Sequence, residues 1–558
     1  PAEDWLMFRG NLSSWGYSGL DKITRDNVSK LDLAWSFPME KGPNEATPVV
    51  RDGVMFLPSP GDVIHAMDAA TGDLIWEYRR EWPEDLRTSG YLTRTASPIN
   101  RSIALYGDSI YATTGDAYVI RLNASTGELV WESPSGHHLE TSHSTGPIIV
   151  KGKVISGRTC AATLPGGCWI MAHDAEDGRE LWKFYLIPRP GEPGYESWGD
   201  VPFEMRRHVG AWHTGSYDPE TDLIYWGTSV PAPSPEVLRG SGDGHVLYSN
   251  STVALEPDTG RLEWYFQHLP RDNWDLDHPY ERILADVPVS PDPEAAWVIN
   301  PDVPFGETRK VLTGIPGKTG VVWTLDRETG QFLWARATVF QNVIAAIDPE
   351  TGGVTVNESI IPRSLEDDYG LVCPGASGGK NWPASSYSPR TMAFYAPLQN
   401  LCMEPVIASP EWDPESLYGV AFNGKMAPGM EGVGRLEAVS ASTGRTLWAF
   451  DENAGLFSTL TTAGDLVFGG NSNRRFRAFD AETGEILWET IVNGPVTGFP
   501  ISYEADGEQY VAVAVGGGDL LSGGHNAYAG YRVRAGSNML FAFRMSETAS
   551  DDRVPVGR

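Results

Sequence analysis

The run Trp274-Asp275-Leu276-Asp277 sets two carboxylates two residues apart, on one face if the backbone there is extended. Two carboxylates this close repel when both are ionised, so they either share a proton or hold a cation. A hard cation that takes oxygen ligands resolves the conflict and leaves one carboxylate free to act as a base. Asp272 adds a third acid nearby; the plainer reading of such a run is a solvated acidic loop, because most charged side chains are exposed. Gly378-Gly379-Lys380-Asn381-Trp382 lies between Cys373 and Cys402 and presents an amide and an indole. It lacks the G-x-x-x-x-G-K-[ST] spacing of a phosphate-binding loop, and an ordinary turn is the alternative. Lys318, in Gly317-Lys318-Thr319-Gly320, and Arg101, after Asn100, each place a cation just before a β-rich run. Trp212 stands among small residues and is either a flat stacking platform or a core aromatic. No G-x-S-x-G, H-E-x-x-H or dinucleotide-binding glycine pattern occurs in a suitable context, which argues against serine hydrolase, zinc protease and nicotinamide chemistry. An acid pair, an amide loop, two cations and an indole plate together suit a flat anionic cofactor with a metal.

The elements that must position these residues are written as a repeat. Seven times a strand-like apolar stretch runs into a polar turn containing glycine, with a tryptophan four residues past the glycine, at Trp76, Trp131, Trp182, Trp264, Trp334, Trp448 and Trp488. Repeated units that cannot bury their own apolar face must stack on one another. Glycine supplies the positive φ of a tight turn, Asp and Thr bond local backbone groups, and each unit reads as a hairpin. The indole, at constant offset, packs between neighbouring sheets and its N–H finds a backbone acceptor. Trp35, without a turn of its own, is expected on the last strand of a sheet begun by the other end of the chain, closing a ring with no free edge. Successive tryptophans from 35 to 488 are separated by 41, 55, 51, 82, 70, 114 and 40 residues. The 114-residue interval has room for two units, and Ala346 to Gly352 inside it is a turn lacking its tryptophan. The expectation is an all-β, eight-bladed β-propeller with tryptophan-docking repeats: one domain over 1–558, closed by N- and C-terminal strands, with 545–558 as a flexible tail. The surplus in the long intervals forms loops at 195–208, 231–250, 268–282 and 369–382, where function concentrates on a rigid scaffold.

Composition narrows the partners. With 43 Lys and Arg against 73 Asp and Glu, the net charge of −30 disfavours nucleic acid, whose phosphates need clustered cations. Such a surface either steers a basic protein partner or serves solubility. No apolar run approaches the roughly 20 residues that span a bilayer. The start at Pro1-Ala2-Glu3-Asp4-Trp5, with neither an initiator Met nor a signal-peptide pattern, reads as a mature chain. Four cysteines, at 160, 168, 373 and 402, either close two local disulfides in an oxidising compartment or stay as buried thiols. No C-x-x-C-H is present, so no covalently attached c-type haem is expected.

Together these features resemble the quinoprotein alcohol dehydrogenases, eight-bladed propellers that hold pyrroloquinoline quinone (PQQ) and usually calcium at the centre of the ring. The likeness runs from Asp4 to Phe543. It implies that Asp275 is the base that takes the alcohol proton while hydride passes to the quinone, with Trp212 stacked beneath the cofactor. Glu45, Arg101, Ser144, Thr159, Lys318 and Asn381 match positions that bond the cofactor, Trp382 accompanies them, and Lys318 or Arg101 polarises the reacting carbonyl. Asp277 resembles the additional aspartate of lanthanide-using members, so Asp275 and Asp277 are the metal candidates, for calcium or a lanthanide.

Three departures stand out. Thr95-Ala96 replaces the adjacent cysteines that usually cap the quinone. The segment Arg158 to Ala162 lacks the usual glutamate ligand, and Val230 stands at the usual asparagine ligand. No haem domain is recognised, so electrons are expected to leave to a separate acceptor such as a cytochrome c, in the periplasm. The missing cap and the enlarged loop at Cys160 to Cys168 imply a roomy mouth and a bulky secondary alcohol or polyol. Two other readings compete: a non-catalytic periplasmic propeller scaffold and a polymer-binding lyase.

Overall fold

A computed structural model describes residues 4–87, 99–367, 369–407, 419–517, 520–534 and 537–546. Eight blades, each built on four antiparallel strands, form a β-propeller; Val298–Ile299 adds a fifth strand to the outer edge of blade 5, and Tyr17–Ser18 pairs in parallel along the inner edge of blade 7. Blade 1 runs outward through Val49–Arg51, Val54–Ser59, Val63–Asp68 and Leu74–Arg79. Blades 2 to 7 repeat the pattern, with innermost strands Ala104–Tyr106, Ile148–Val150, Ser216–Asp218, Ile283–Pro288, Ser386–Ser388 and Leu456–Thr462. Blade 8 takes three strands from the end of the chain, Ile501–Ala505, Glu508–Val515 and Met539–Met545, and its outermost strand, Leu31–Pro38, from the beginning. The register of that closure pairs Leu31 with Met545 and Pro38 with Met539, so Met545 lies inside the sheet. Trp35 therefore belongs to the closing strand, as its spacing implies.

The repeat is a docking contact. The turn glycines Gly72, Gly127, Gly178, Gly260, Gly330, Gly444 and Gly484 all have φ between +72° and +77°. Each lies against the tryptophan of the preceding blade, where a Cβ would fall 2.4–3.0 Å from an indole carbon. Glycine is thus required twice, for its backbone and for its missing side chain. The Nε1–H of Trp35, Trp76, Trp131, Trp182 and Trp448 donates to the carbonyl three residues before the partner glycine, at 2.9–3.3 Å. Trp488 closes the circle by donating to the Leu31 carbonyl at 2.9 Å.

The 114-residue interval holds no extra blade. Its turn joins Ile344–Ile347 to Val354–Val356 in a separate hairpin, and Gly352 meets Phe266 and Phe332 instead of an indole. A second antiparallel pair, Leu401–Ile407 with Val420–Met426, is inserted between the strands Ala393–Gln399 and Gly434–Ser440 of blade 6. Both expected disulfides are formed, Cys160 to Cys168 and Cys373 to Cys402. No helix among the described residues is long and apolar enough to cross a membrane.

Candidate active site

The blades deliver most of the singled-out residues from one equivalent place, the segment that enters the innermost strand. Glu45 precedes Val49, Arg101 precedes Ala104, Ser144 precedes Ile148, and Trp212 precedes Ser216. Asp275 and Asp277 precede Ile283, and Asn381 and Trp382 precede Ser386. Neighbouring entry segments are stitched around the channel: Thr47 N–H donates to the Arg101 carbonyl (2.8 Å), Arg101 N–H to the Ser144 carbonyl (3.2 Å), and the Ser144 hydroxyl to the Trp212 carbonyl (3.2 Å).

On blades 1 to 4 the side chains form an arc. Arg101 Nη2 lies 2.5 Å from Glu45 Oε2, and its Nη1 donates to Ser144 Oγ at 2.9 Å. The same guanidinium sits 5.1 Å from the ring centre of Trp212 and 5.6 Å from that of Trp382, within cation–π range. Trp212 is half-buried and meets Tyr280 edge-on at 5.5 Å. Thr159 stands on the short ladder of Thr141–Ser142 with Thr159–Cys160, two residues from Ser144 across that ladder's Ser142, and no hydrogen bond described for its side chain joins it to the arc.

On blade 5 the two acids converge on one ammonium. Lys318 Nζ is 3.1 Å from Asp275 Oδ2 and 3.1 Å from Asp277 Oδ2, and it donates to the Asp275 carbonyl at 2.9 Å. All three side chains are buried. The condition for a shared face, an extended backbone, is not met at Asp275, which has φ +62°. Asp272 causes the bend: its carboxylate accepts from Trp274 N–H (2.7 Å), Leu276 N–H (2.8 Å) and Asn250 (2.8 Å), so the third acid braces the loop. Lys318 N–H donates to the Asp277 carbonyl (2.8 Å), and Gly379 N–H donates to the Lys318 carbonyl (2.7 Å), which pins the acid loop to the loop carrying Asn381. A Cβ on Gly378 (φ +82°) would fall 2.2 Å from the Lys380 carbonyl, so only glycine fits that approach.

Burial pushes the Asp275 carboxyl well above the ordinary aspartate value; Lys318 pulls it back, and the charges of Asp277 and Asp272 raise it again. For Lys318, burial favours loss of the proton, but the two carboxylates outweigh it and hold the ammonium charged. Two further participants carried no sequence signal of their own. Tyr280 donates to Asn381 Oδ1 at 2.9 Å, its phenol kept protonated by burial and by the nearby acids. Lys380 and Glu281 form a fully buried pair at 2.9 Å beneath the same loop. Both Tyr280 and Glu281 sit in the long 268–282 loop, which interval length alone had flagged. Away from the channel, Glu40, His65 and Glu77 also converge, but Arg79 bridges both carboxylates at 2.7 and 3.1 Å and offsets one of their two charges.

A propeller whose channel is ringed by an Arg–Glu pair, an indole and an acid–ammonium triad invites comparison with known proteins. The profile of the PQQ dehydrogenases, described as glucose/ethanol/alcohol dehydrogenase β-propeller domain, matches residues 5–339 and 452–511. The chain belongs to this family. The dehydrogenase subunit of the quinone alcohol dehydrogenase of Gluconobacter oxydans is 31% identical over 95% of this chain and 73% of its own length. The cytochrome c 1-butanol dehydrogenase of Thauera butanivorans is 30% identical over 97% of this chain and 78% of its own. A solved europium-containing methanol dehydrogenase superposes with a TM-score of 0.86 at 25% identity, covering 98% of both chains. Membership of the PQQ alcohol dehydrogenase family makes the chain an enzyme and sets aside the scaffold and lyase readings.

The channel residues fit a flat polyanionic quinone with a hard cation. Asp275 Oδ1 and Arg101 Nε are buried polar atoms without a partner, one suited to a cation or a hydroxyl proton and the other to an anion. Position 230 offers the site only its backbone, Val230 N–H donating to Asp277 Oδ1 at 3.1 Å. Thr95 and Ala96 lie outside the described residues.

Proposed function

We propose that Asp275 is the general base for alcohol oxidation in this chain. The observation that carries the reading is that Asp275 Oδ1 is buried and unpartnered while Oδ2 is held 3.1 Å from Lys318 Nζ. One oxygen is therefore fixed and the other is free to take a hydroxyl proton; burial, which raises the pKa of the carboxyl, strengthens it as a base. Lys318 holds its charge beside the acids and stabilises negative charge developing on the substrate oxygen. PQQ, when bound, supplies the two-electron acceptor for the alcohol's hydride. Trp212 and Trp382 would give it flat faces; Glu45, Arg101, Ser144, Thr159 and Asn381 would supply the polar contacts, and Arg101 would pair with its carboxylates.

Asp275 and Asp277 would hold calcium or a lanthanide, cations that take oxygen ligands. The europium-containing relative supports the lanthanide end of that range. The enlarged Cys160–Cys168 loop supports a roomy mouth and hence a bulky secondary alcohol or polyol as substrate. The name of the cytochrome c-linked relative supports a cytochrome c as electron acceptor, and two disulfides support an oxidising compartment such as the periplasm.

The test is an absorbance titration of the full chain with PQQ in the presence of Ca2+ or a light lanthanide, followed by dye reduction with a panel of primary, secondary and polycyclic alcohols. Saturable quinone binding with alcohol-dependent dye reduction is expected; no quinone binding sinks the reading. Preference for short primary alcohols would remove the substrate assignment alone.

A further inference from the structure

Beside the acid pair, two consecutive non-glycine residues adopt left-handed backbone, His208 (φ +65°) and Val209 (φ +52°). Both are buried, and the conformation is costly for a residue with a Cβ and rare for a β-branched valine. The strain turns the His208 imidazole into a gap between two segments of the site. Its Nδ1 lies 2.9 Å from the Cys160 carbonyl, which only accepts, so Nδ1 carries the proton. Burial lowers the His208 pKa and keeps the ring neutral, so Nε2 accepts from the Ser229 hydroxyl at 3.2 Å. Ser229 Oγ in turn accepts Gly210 N–H at 2.7 Å.

The backbone repeats the link. Cys168 N–H donates to the His208 carbonyl (2.9 Å), Val209 N–H to the Val230 carbonyl (3.1 Å), and Ser229 N–H to the Gly210 carbonyl (2.8 Å). Val230 N–H then donates to Asp277 Oδ1, whose other oxygen meets Lys318. A continuous run of hydrogen bonds thus leads from the Cys160–Cys168 loop through His208, Ser229 and Val230 to Asp277. Since the side chain at 230 brings no oxygen, the aim of Asp277 depends on where that N–H is held.

We propose that His208 is a positioning residue that fixes the Asp277 carboxylate by locking the Cys160–Cys168 loop to the Ser229–Val230 segment. The proposal rests on the reading of Asp275 and Asp277 as the cation-holding pair. Partners one step behind a metal ligand typically change affinity 10- to 100-fold when removed.

The test uses the full chain, loaded with PQQ, stripped of metal by chelation, and titrated calorimetrically with Tb3+. His208→Gly removes the ring and relieves the left-handed backbone but leaves a cavity and two groups without their partner, so its unfolding midpoint should fall, while Tb3+ affinity measured well below the melting range falls at least about tenfold. Ser229→Ala deletes only the hydroxyl and should weaken Tb3+ binding in the same direction by a smaller factor; it decides the matter should His208→Gly fail to fold. Asp277→Asn is the separating control. If it binds Tb3+ as the parent does, the cation-site reading itself falls. If Asp277→Asn weakens binding while His208→Gly, or Ser229→Ala where the glycine variant does not fold, stays within twofold of the parent, the role of His208 is overturned.

Discussion

Trp76 and Trp212 are both half-buried indoles, and they serve opposite purposes. At the outer edge of the ring, Trp76 lies on Gly127 and donates to the Ala124 carbonyl, a contact that recurs from blade to blade with the same partner types. At the channel, Trp212 has an arginine 5.1 Å from its ring centre and a tyrosine against its edge. The edge is apolar, repetitive and glycine-dependent. The channel is charged and differs from blade to blade. Yet the two are in register, because most channel residues enter at the same point of each blade. The repeat does more than build a frame: it supplies equivalent sites on a circle, and each is filled with a different side chain.

Breaking the channel should cost both stability and turnover. Lys318→Met leaves two buried carboxylates facing each other, and loss of one partner of a buried ion pair typically costs about 3–5 kcal/mol. Thermal unfolding and alcohol-dependent dye reduction should both show the loss. Breaking the edge should cost stability alone. Gly127→Ala puts a Cβ 2.6 Å from Trp76 at φ +73°, and strain plus overpacking predict about 2–4 kcal/mol of destabilisation. Turnover per folded molecule well below the melting range should be unchanged, and a drop in it would blur the distinction between the two regions.

Acid should attack the frame. Burial lowers His173, in blade 3, to about 4 and His525, on the helix Leu520–Ala529, to about 3. Their native pKa lies below the unfolded value of about 6.5, so below pH 6.5 the unfolded chain takes up protons that the native chain refuses. That stability is fully present above pH 6.5 and is lost as pH falls towards 4 and 3, about 2 kcal/mol per histidine at pH 5. Melting curves between pH 7 and 5 should show it, and His525→Gln should flatten the dependence. The smallest effect separates edge tryptophans from one another. Trp76 Nε1–H is bonded and Trp264 Nε1–H is not, so Trp76→Phe should cost about 1 kcal/mol more than Trp264→Phe in denaturant unfolding.

Much of the fold was legible because the docking contact ties two residue types at fixed spacing, and Trp35 betrayed the closing strand by spacing alone. The turn at 346–352 misled because turn chemistry is common to any hairpin; only a docked indole marks a blade, and Gly352 meets two phenylalanines. Asp275, Asp277, Lys318 and Asn381 stood out by falling off the repeat, and the structure brings them within one set of hydrogen bonds and ion pairs. The bracing role of Asp272 and the left-handed turn at His208–Val209 were not legible, since both depend on backbone angles that these residue types do not announce. Tyr280 was hidden for another reason: its partner, Asn381, lies 101 residues away on the next blade.

The central claim is that the unpartnered Asp275 oxygen takes the substrate proton. Asp275→Asn keeps the shape of the side chain and removes the base. Steady-state dye reduction by the variant loaded with PQQ and Ca2+ or a light lanthanide, alongside its quinone-binding titration, tests the claim most directly. Quinone binding should be retained with turnover lowered about 10²- to 10⁴-fold; turnover equal to that of the parent, at full quinone occupancy, would rule out Asp275 as the base.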